Sequence, residues 1–152
     1  MLRLADSSEA EYLEQIRVRA SLASVTALGH SASEVPSELV ELREAASDQR
    51  VVVHDVDGIV IGYSMVSAVE GGSAELAGLF VEIAARGQGR GEALCAAAIQ
   101  VATDRGARVI TVVGQPLAVT LYERVGFRSM GTITTLFGDG VLMRYDVATD
   151  GN

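Results

Sequence analysis

The chain has 152 residues, 49% of them hydrophobic, and a formal net charge of −8 in which all twelve basic residues are arginines. This predicts one domain spanning residues 1–152 and argues against nucleic acid as a partner, because a phosphate backbone requires a basic face. No apolar run approaches the roughly 20 residues of a membrane helix, and the start lacks a signal-peptide core, so we expect no membrane association. The single cysteine, Cys95, excludes an intrachain disulfide, fits a cytoplasmic location and lies in an apolar run that predicts a buried packing residue.

Strand and helix signals follow one another along the chain. Asp6 and Glu9 provide the capping pattern of a helix N-terminus, whereas small residues at 23–33 predict a loop or broken helix. Asp57-Gly58 stands between two β-branched runs and predicts a hairpin turn. The order predicts an α/β domain with a mixed sheet. In chain order, the predicted elements are a strand at 2–5, helices at 10–22 and starting near Pro36, strands at 50–56, 59–69 and 75–81, a helix at 91–105, a strand at 109–113, a helix at 116–125, and strands at 127–136 and 141–147 joined across 138–140.

An arginine- and glycine-rich turn, Arg86-Gly87-Gln88-Gly89-Arg90-Gly91, connects a predicted strand to a predicted helix. Glycines at alternate positions let backbone amides approach a ligand, and the start of a helix adds unpaired N–H groups and the positive end of the helix dipole. Such a turn favours the binding of phosphate groups. Its spacing differs from the dinucleotide-binding pattern G-x-G-x-x-G, and a P-loop would need a lysine, which the chain lacks.

A second motif follows at 115–127, where the chain reads Gln115-Pro116-Leu117-Ala118-Val119-Thr120-Leu121-Tyr122-Glu123-Arg124-Val125-Gly126-Phe127. At matching separation, the turn and this stretch resemble the two motifs of the GNAT superfamily of acyl-CoA-dependent N-acetyltransferases. Gln115 stands where that family usually has Asn. The resemblance implies an α/β (α+β) domain of the GNAT fold, with a mixed, mostly antiparallel sheet of about seven strands, a splayed parallel pair and about four helices.

The resemblance also implies that acetyl-CoA is the cofactor, that the amides of the turn bind its pyrophosphate, and that its pantetheine arm pairs with the strand at 79–81. Gly78 is then either the bulge that opens the gap between the parallel strands or a site of close packing against a helix. The implied cofactor-binding positions are Leu79, Phe80, Val81, Arg86, Gly87, Gln88, Gly89, Arg90, Gly91, Gln115 and Ala118.

By the same resemblance, Tyr122 is the catalytic residue that protonates or hydrogen-bonds the departing thiolate. An unperturbed tyrosine pKa near 10 is roughly matched to that of an alkyl thiolate. The attacking amine must lose a proton, and a carboxylate acting through water is suited to take it. We expect Glu75, at the start of the cofactor-binding strand, to be this base, with Glu82 and a chain of water molecules as the alternatives.

The implied acceptor is a primary amine of a small molecule or peptide, acetylated directly in a ternary complex. Residues 1–60 hold eleven acids against five arginines, which favours a cationic acceptor. Residues 20–45 and 134–140 are expected to set acceptor specificity. The alternatives are a module that binds CoA without turnover and an acyltransferase for a longer acyl chain. The family's last strands often pair across subunits, which is compatible with a homodimer.

The two histidines, His30 and His54, are expected to be surface residues rather than bases. They lie far apart in the sequence and have no cysteine or aspartate cluster beside them. No metal site is therefore predicted.

Overall fold

The computed structural model describes residues 1–27, 29, 35–135 and 138–148, with the backbone alone for residues 23–27. Within these ranges, seven strands form one sheet that carries helices on both faces. No helix in the described ranges is both long and apolar enough to cross a membrane. In chain order the elements are β1 (Leu2–Leu4), α1 (Ala10–Ala27), α2 (Leu39–Ser47), β2 (Val51–Val56), β3 (Ile59–Val66), β4 (Ser73–Val81), α3 (Arg90–Asp104), β5 (Val109–Gly114), α4 (Val119–Val125), β6 (Arg128–Thr135) and β7 (Gly138–Asp146).

The sheet is mixed, as the order of elements predicts, and mostly antiparallel, as the family resemblance implies. Its strand order is β1-β2-β3-β4-β5-β7-β6, and β4 with β5 is the one parallel pair among the described strands. This parallel pairing is short, because it joins only residues 73–75 of β4 to residues 109–111 of β5. Beyond it, β4 continues beside β3 and β5 beside β7. The two parallel strands therefore separate.

Each face of the sheet is covered by two helices. On one face, α1 and α2 bury Leu13 and Leu42 against β2 and β3. On the other, α3 and α4 pack with β4, β5 and β7, and here Cys95 is fully buried, as predicted. Val51 and Val52 of β2 point to opposite faces and both are buried. A strand covered on both sides in this way reads as a continuous apolar run in the sequence.

The predicted N-terminal capping is confirmed. The Asp6 carboxylate accepts from the Ser8 N–H, and the Glu9 carboxylate accepts from the Asp6 N–H, each at 2.9 Å, in a 3₁₀ turn that leads into α1. The predicted end of this helix at residue 22 is wrong, because α1 continues to Ala27. Residues 23–27 include no helix breaker, and the first glycine with a positive φ is Gly29. His30 and the rest of the predicted loop, at 28 and 31–33, lie outside the described residues.

Strand boundaries differ from the prediction where pairing overrides the local pattern. β4 begins at Ser73 rather than 75 because its pairing with β5 starts there, and β3 ends at Val66 rather than 69. β7 begins at Gly138, so the predicted turn at 138–140 belongs to a strand whose residues pair with β6. Residues 136 and 137, which join β6 to β7, lie outside the described residues.

A bulge interrupts β4 next to Gly78. Met65 of β3 faces Gly78, whereas the next residue, Val66, faces Leu76, so Ala77 is the extra residue on β4. A Cβ on Gly78 would make ordinary contacts of 3.5 Å with the Tyr63 and Phe80 side chains, and those side chains belong to strands. The bulge interpretation of Gly78 is therefore confirmed over close packing against a helix.

Candidate active site

A cleft of about 650 Å³ opens where β4 and β5 separate. Its walls are residues 76–81 of β4 and 112–114 of β5, and α1 contributes Ala20 and Ser21. Past residue 75, one edge of β4 pairs with β3, and the other edge has no strand partner among the described residues. Backbone groups on that free edge therefore face the cleft, where an extended ligand would pair with them as an added strand.

The glycine-rich turn forms one end of the cleft. Gly87 and Gly89 have φ angles of +83° and +75°, and a Cβ at either would meet nothing within 4 Å. Gly89 is the N-cap residue of α3 and provides no side-chain cap for the first N–H groups of this helix. Gly91 packs closely against α4, because a Cβ there would lie 2.9 Å from Leu121 Cδ1 and this side chain would have to shift. The turn thus combines open space, unpaired amides and the positive end of a helix dipole.

Two arginines of the turn connect it to the backbone that precedes it. Arg86 Nε donates to the Val81 carbonyl and Arg90 Nη1 donates to the Ala85 carbonyl, both at 3.2 Å. Each guanidinium carries five N–H donors, so these bonds leave donors for an anionic ligand. Both residues line the cleft. Gln88 does not line the cleft, and its side chain is exposed.

Tyr122 is buried in the cleft wall with 7% of its surface exposed. Its ring packs edge-on against Phe127 at a centroid distance of 5.6 Å. Burial, and to a lesser degree the neighbouring Cys95, raise the pKa of Tyr122 well above its usual range. This corrects the expectation of an unperturbed pKa near 10. Within the described part of the chain, no hydrogen bond joins the Tyr122 hydroxyl to another residue.

The motif containing Tyr122 also places Gln115 and Ala118 on the cleft wall. Gln115 has an extended backbone, with φ −67° and ψ 151°, as expected for a residue before proline. Pro116–Ala118 form a 3₁₀ turn, and α4 starts at Val119. The predicted helix at 116–125 is therefore a 3₁₀ turn followed by a shorter α-helix. Leu117, in this turn, is 98% exposed at the cleft.

The two candidate bases lie at different ends of β4. Glu75 occupies the last rung that β4 shares with β5, opposite Thr111, and its exposed side chain lies outside the cleft lining. Glu82 follows β4 and forms an ion pair with Arg19 of α1. The structure does not bring either carboxylate into the cleft wall beside Tyr122.

Nothing in the surroundings of His54, the histidine that lies in the described residues, indicates a catalytic role. His54 is partly buried on β2, and its Nδ1 has no hydrogen-bond partner among the described residues. Burial is the main cause that lowers the pKa of His54, and the positive charge of the N-terminal ammonium lowers it further. No group of three or more His, Cys, Asp or Glu side chains is arranged to hold a metal ion in the described ranges.

Several cleft residues have no clear signal in the sequence. Ala20 and Ser21 come from α1, far away in the chain, and only the tertiary fold brings them to β4. Gly114 is fixed by a contact with Tyr122 and not by a positive φ. The local sequence feature that marks Gly114 is its position directly after the β-branched run at 109–113. Glu92, which directly follows the first motif, and Arg124, which lies inside the second, also line the cleft.

The fold and the cleft define an α/β domain with a cleft between two splayed parallel strands, closed at one end by a glycine-rich turn at the start of a helix. The chain belongs to the acetyltransferase (GNAT) domain family, whose model matches residues 6–143. A comparison with curated proteins gives no match.

Solved acetyltransferase structures share this fold. A phosphinothricin acetyltransferase from Sinorhizobium meliloti in complex with AcCoA has a TM-score of 0.78 at 22% identity, covering 99% of this chain and 94% of that one. The putative acetyltransferase yncA from Salmonella typhimurium, with its cofactor acetyl-CoA, has a TM-score of 0.76 at 17% identity, covering 100% and 98%. A ribosomal-protein-alanine N-acetyltransferase from Brucella melitensis has a TM-score of 0.75 at 21% identity, covering 97% and 99%. At these identities the likeness concerns the fold.

Proposed function

We propose that this protein transfers the acetyl group of acetyl-CoA to a primary amine by direct attack in a ternary complex. The observation that carries the proposal is the joining of three features in one cleft: the splayed strands, the uncapped start of α3 and the buried Tyr122. Two structures of the same fold contain acetyl-CoA by their descriptions, which supports the choice of donor. Acetyl-CoA supplies an acetyl thioester whose carbon accepts the amine.

The residues of the cleft fit this donor. The amides at 87–91 meet the pyrophosphate in the space that a Cβ on Gly87 or Gly89 would fill, and Arg86 and Arg90 add charge-assisted contacts. The free edge of β4 at 79–81 would hold the pantetheine arm by backbone hydrogen bonds. Gln115 and Ala118 hold the opposite side of the cleft.

Tyr122 serves the leaving sulfur as a hydrogen-bond donor. Because burial raises the pKa of this hydroxyl above its usual value near 10, it is a weaker acid than a thiol with a pKa near 8.5. Complete proton transfer from Tyr122 to the thiolate is therefore uphill, and the residue keeps its proton while stabilising the developing charge. In the reaction, the amine nitrogen forms a bond to the acetyl carbon and the carbon–sulfur bond breaks.

The amine proton goes to a carboxylate or to water. A lysine-like amine with a pKa near 10.4 is about 3.4 units above neutral pH, so removing its proton costs about 4.6 kcal/mol. We propose Glu75 as the base, acting through water. It belongs to the last residue pair of the β4–β5 pairing, beyond which the two strands separate. Glu82, held by Arg19, and a chain of water molecules are the alternatives.

The acceptor that we propose is a small-molecule or peptide amine, with cationic acceptors favoured by the acidic N-terminal half. The names of the structural relatives include a phosphinothricin acetyltransferase and a ribosomal-protein-alanine N-acetyltransferase, so the same fold serves both types of acceptor. The free, buried Cys95 fits the cytoplasmic location that we propose. The alternatives to this function are a module that binds CoA without turnover and an acyltransferase for a longer acyl-CoA. A homodimer is compatible with each of these functions.

The testing experiment is calorimetric titration of acetyl-CoA and desulfo-CoA into wild type, Gly89→Glu and Gly106→Glu. Gly106, at the other end of α3, is a matched control, because its φ is +94° and a Cβ there also meets nothing within 4 Å. We expect micromolar binding by wild type and by Gly106→Glu, and its loss in Gly89→Glu. A screen of amines for CoA release then separates an enzyme from a binding module. A wild-type protein that binds neither ligand would overturn the proposal.

A further inference from the structure

An ion pair spans the mouth of the cleft. Arg124, in the last turn of α4, donates from Nη1 to Glu92 Oε1 in the first turn of α3 at 3.3 Å. The side chains are 67% and 39% exposed, and both residues line the cleft. Exposed pairs of this kind contribute little to stability, so the pair opens readily when a better partner for either charge is present.

The position of Glu92 conflicts with the chemistry of the turn. Glu92 directly follows Gly91, so a carboxylate lies beside backbone amides that are arranged for an anion. A negative ligand in the turn would be repelled by this carboxylate unless a cation offsets it. Arg124 is that cation, since the Glu92 carboxylate is within hydrogen-bond distance of its guanidinium. The other cleft arginines, Arg86 and Arg90, each donate one bond to a backbone carbonyl that precedes the turn, that of Val81 and that of Ala85.

We infer that Arg124 is a phosphate-binding residue for the ADP end of CoA, and that Glu92 competes with the phosphate for its guanidinium. The inference rests on the proposed function, because it assumes that CoA occupies the cleft. A phosphate oxygen is a strong acceptor for a guanidinium, in a geometry that allows two parallel hydrogen bonds. Exchanging the carboxylate for a phosphate therefore keeps Arg124 paired and brings a positive charge to the ligand.

Charge-neutral variants at both positions test the competition. Arg124→Gln is expected to weaken CoA binding about fivefold or more at low ionic strength, because it removes the cation and leaves Glu92 unopposed. Glu92→Gln is expected to tighten binding about two- to fivefold, because it removes the repulsion and frees the arginine. The double variant should bind more tightly than Arg124→Gln alone. These differences should shrink between about 0.01 M and about 1 M salt, as the Debye length falls from about 30 Å to about 3 Å.

Arg128→Gln is the matched control. Arg128 is 64% exposed, pairs with Asp146 at 3.2 Å and lies outside the cleft lining, so its loss changes the net charge equally without touching the site. Calorimetric titration of CoA and dephospho-CoA into all five proteins gives the answer. An Arg124→Gln effect that disappears with dephospho-CoA supports a contact with the 3′-phosphate, and one that persists supports a contact with the pyrophosphate.

Two results would overturn the inference while leaving the proposed function intact. In the first, Arg124→Gln binds CoA as Arg128→Gln does. In the second, Glu92→Gln binds more weakly than wild type. Failure of wild type to bind CoA at all is a separate result, and it would overturn the proposed function itself.

Discussion

Tyr122 and Gly114 are in direct contact: a Cβ on Gly114 would lie 2.9 Å from Cε2 of the tyrosine ring. The ring is itself buried against Phe127 and has little room to withdraw. We therefore predict that Gly114→Ala displaces Tyr122 and lowers kcat about tenfold or more, since small misplacements of catalytic groups are costly. Steady-state kinetics with a melting curve checks this. A folded variant with the wild-type kcat would show that the tyrosine position is unimportant.

Replacing Tyr122 by Phe should remove the hydroxyl and keep the ring. Because the ring contact with Phe127 is retained, we expect an unchanged fold and unchanged affinity for acetyl-CoA. The loss of hydrogen bonding to the thiolate should lower kcat about 10²-fold, at the low end of the range for acid catalysis. Single-turnover acetyl transfer measures this directly. Equal losses of kcat and cofactor affinity would instead indicate a structural role.

Glu75→Gln and Glu82→Gln separate the candidate bases. We expect Glu75→Gln to lower kcat/KM about 10²-fold near neutral pH and to lose less at alkaline pH, where the amine is already deprotonated. Glu82→Gln should have a smaller effect on turnover, because its carboxylate is engaged by Arg19. The pH profile of kcat/KM for the acceptor distinguishes the two variants. If neither changes the profile, a chain of water molecules takes the proton.

The buried Arg17 should be far more important for stability than the exposed Arg43. Arg17 Nε donates to Glu14 Oε1 at 2.5 Å and its Nη2 donates to the Pro36 carbonyl, which fastens the segment before α2 to α1. Arg17→Met leaves the Glu14 charge without its guanidinium partner, and we expect a loss of about 3 kcal/mol in the free energy of unfolding.

Arg43→Met provides the matched comparison for this prediction. Its pair with Glu11, at 2.8 Å, also joins α2 to α1, but the side chains are 51% and 71% exposed. We expect its loss to cost less than about 1 kcal/mol. Urea denaturation of both variants makes the comparison, and similar losses would contradict the distinction. Adding Glu14→Gln to Arg17→Met should recover part of the stability.

Alkaline pH should destabilise the fold. Burial raises the pKa of Cys95 to about 12 and raises the pKa values of Tyr63 and Tyr122 above their usual range. In the unfolded chain these groups ionise near 8.5 and 10, so above these values the native state binds more protons and stability falls as pH rises. Their contribution is complete below about pH 8 and is lost progressively as pH rises toward their folded-state pKa values.

Cys95→Ala tests this prediction. The variant should reduce the loss of unfolding free energy with rising pH by up to about 1.4 kcal/mol per pH unit between about pH 9 and 11. Thermal unfolding across this range measures the slope, and an identical slope in the variant would contradict it.

Much of the fold follows from local signals, and the site only in part. The capping pair Asp6 and Glu9, the hairpin at Asp57-Gly58 and the bulge at Gly78 are encoded by residues close together in the sequence. The end of α1 and the start of β4 depend on tertiary context and were misplaced. Motifs indicated Tyr122 and the turn. They did not give the elevated pKa of Tyr122, which arises from packing by distant elements, or the Arg19–Glu82 and Arg124–Glu92 pairs, which join elements far apart.

The brevity of the β4–β5 pairing has a mechanical consequence. Strands β1 to β4 and strands β5 to β7 form two sub-sheets that share only three residue pairs, with α3 and α4 packed across the seam. A ligand lying along the free edge of β4 would bridge this seam and act as a removable strand. Cofactor binding and cohesion of the two sub-sheets would then be thermodynamically linked, so that a bound donor also stabilises the junction between the sub-sheets against separation.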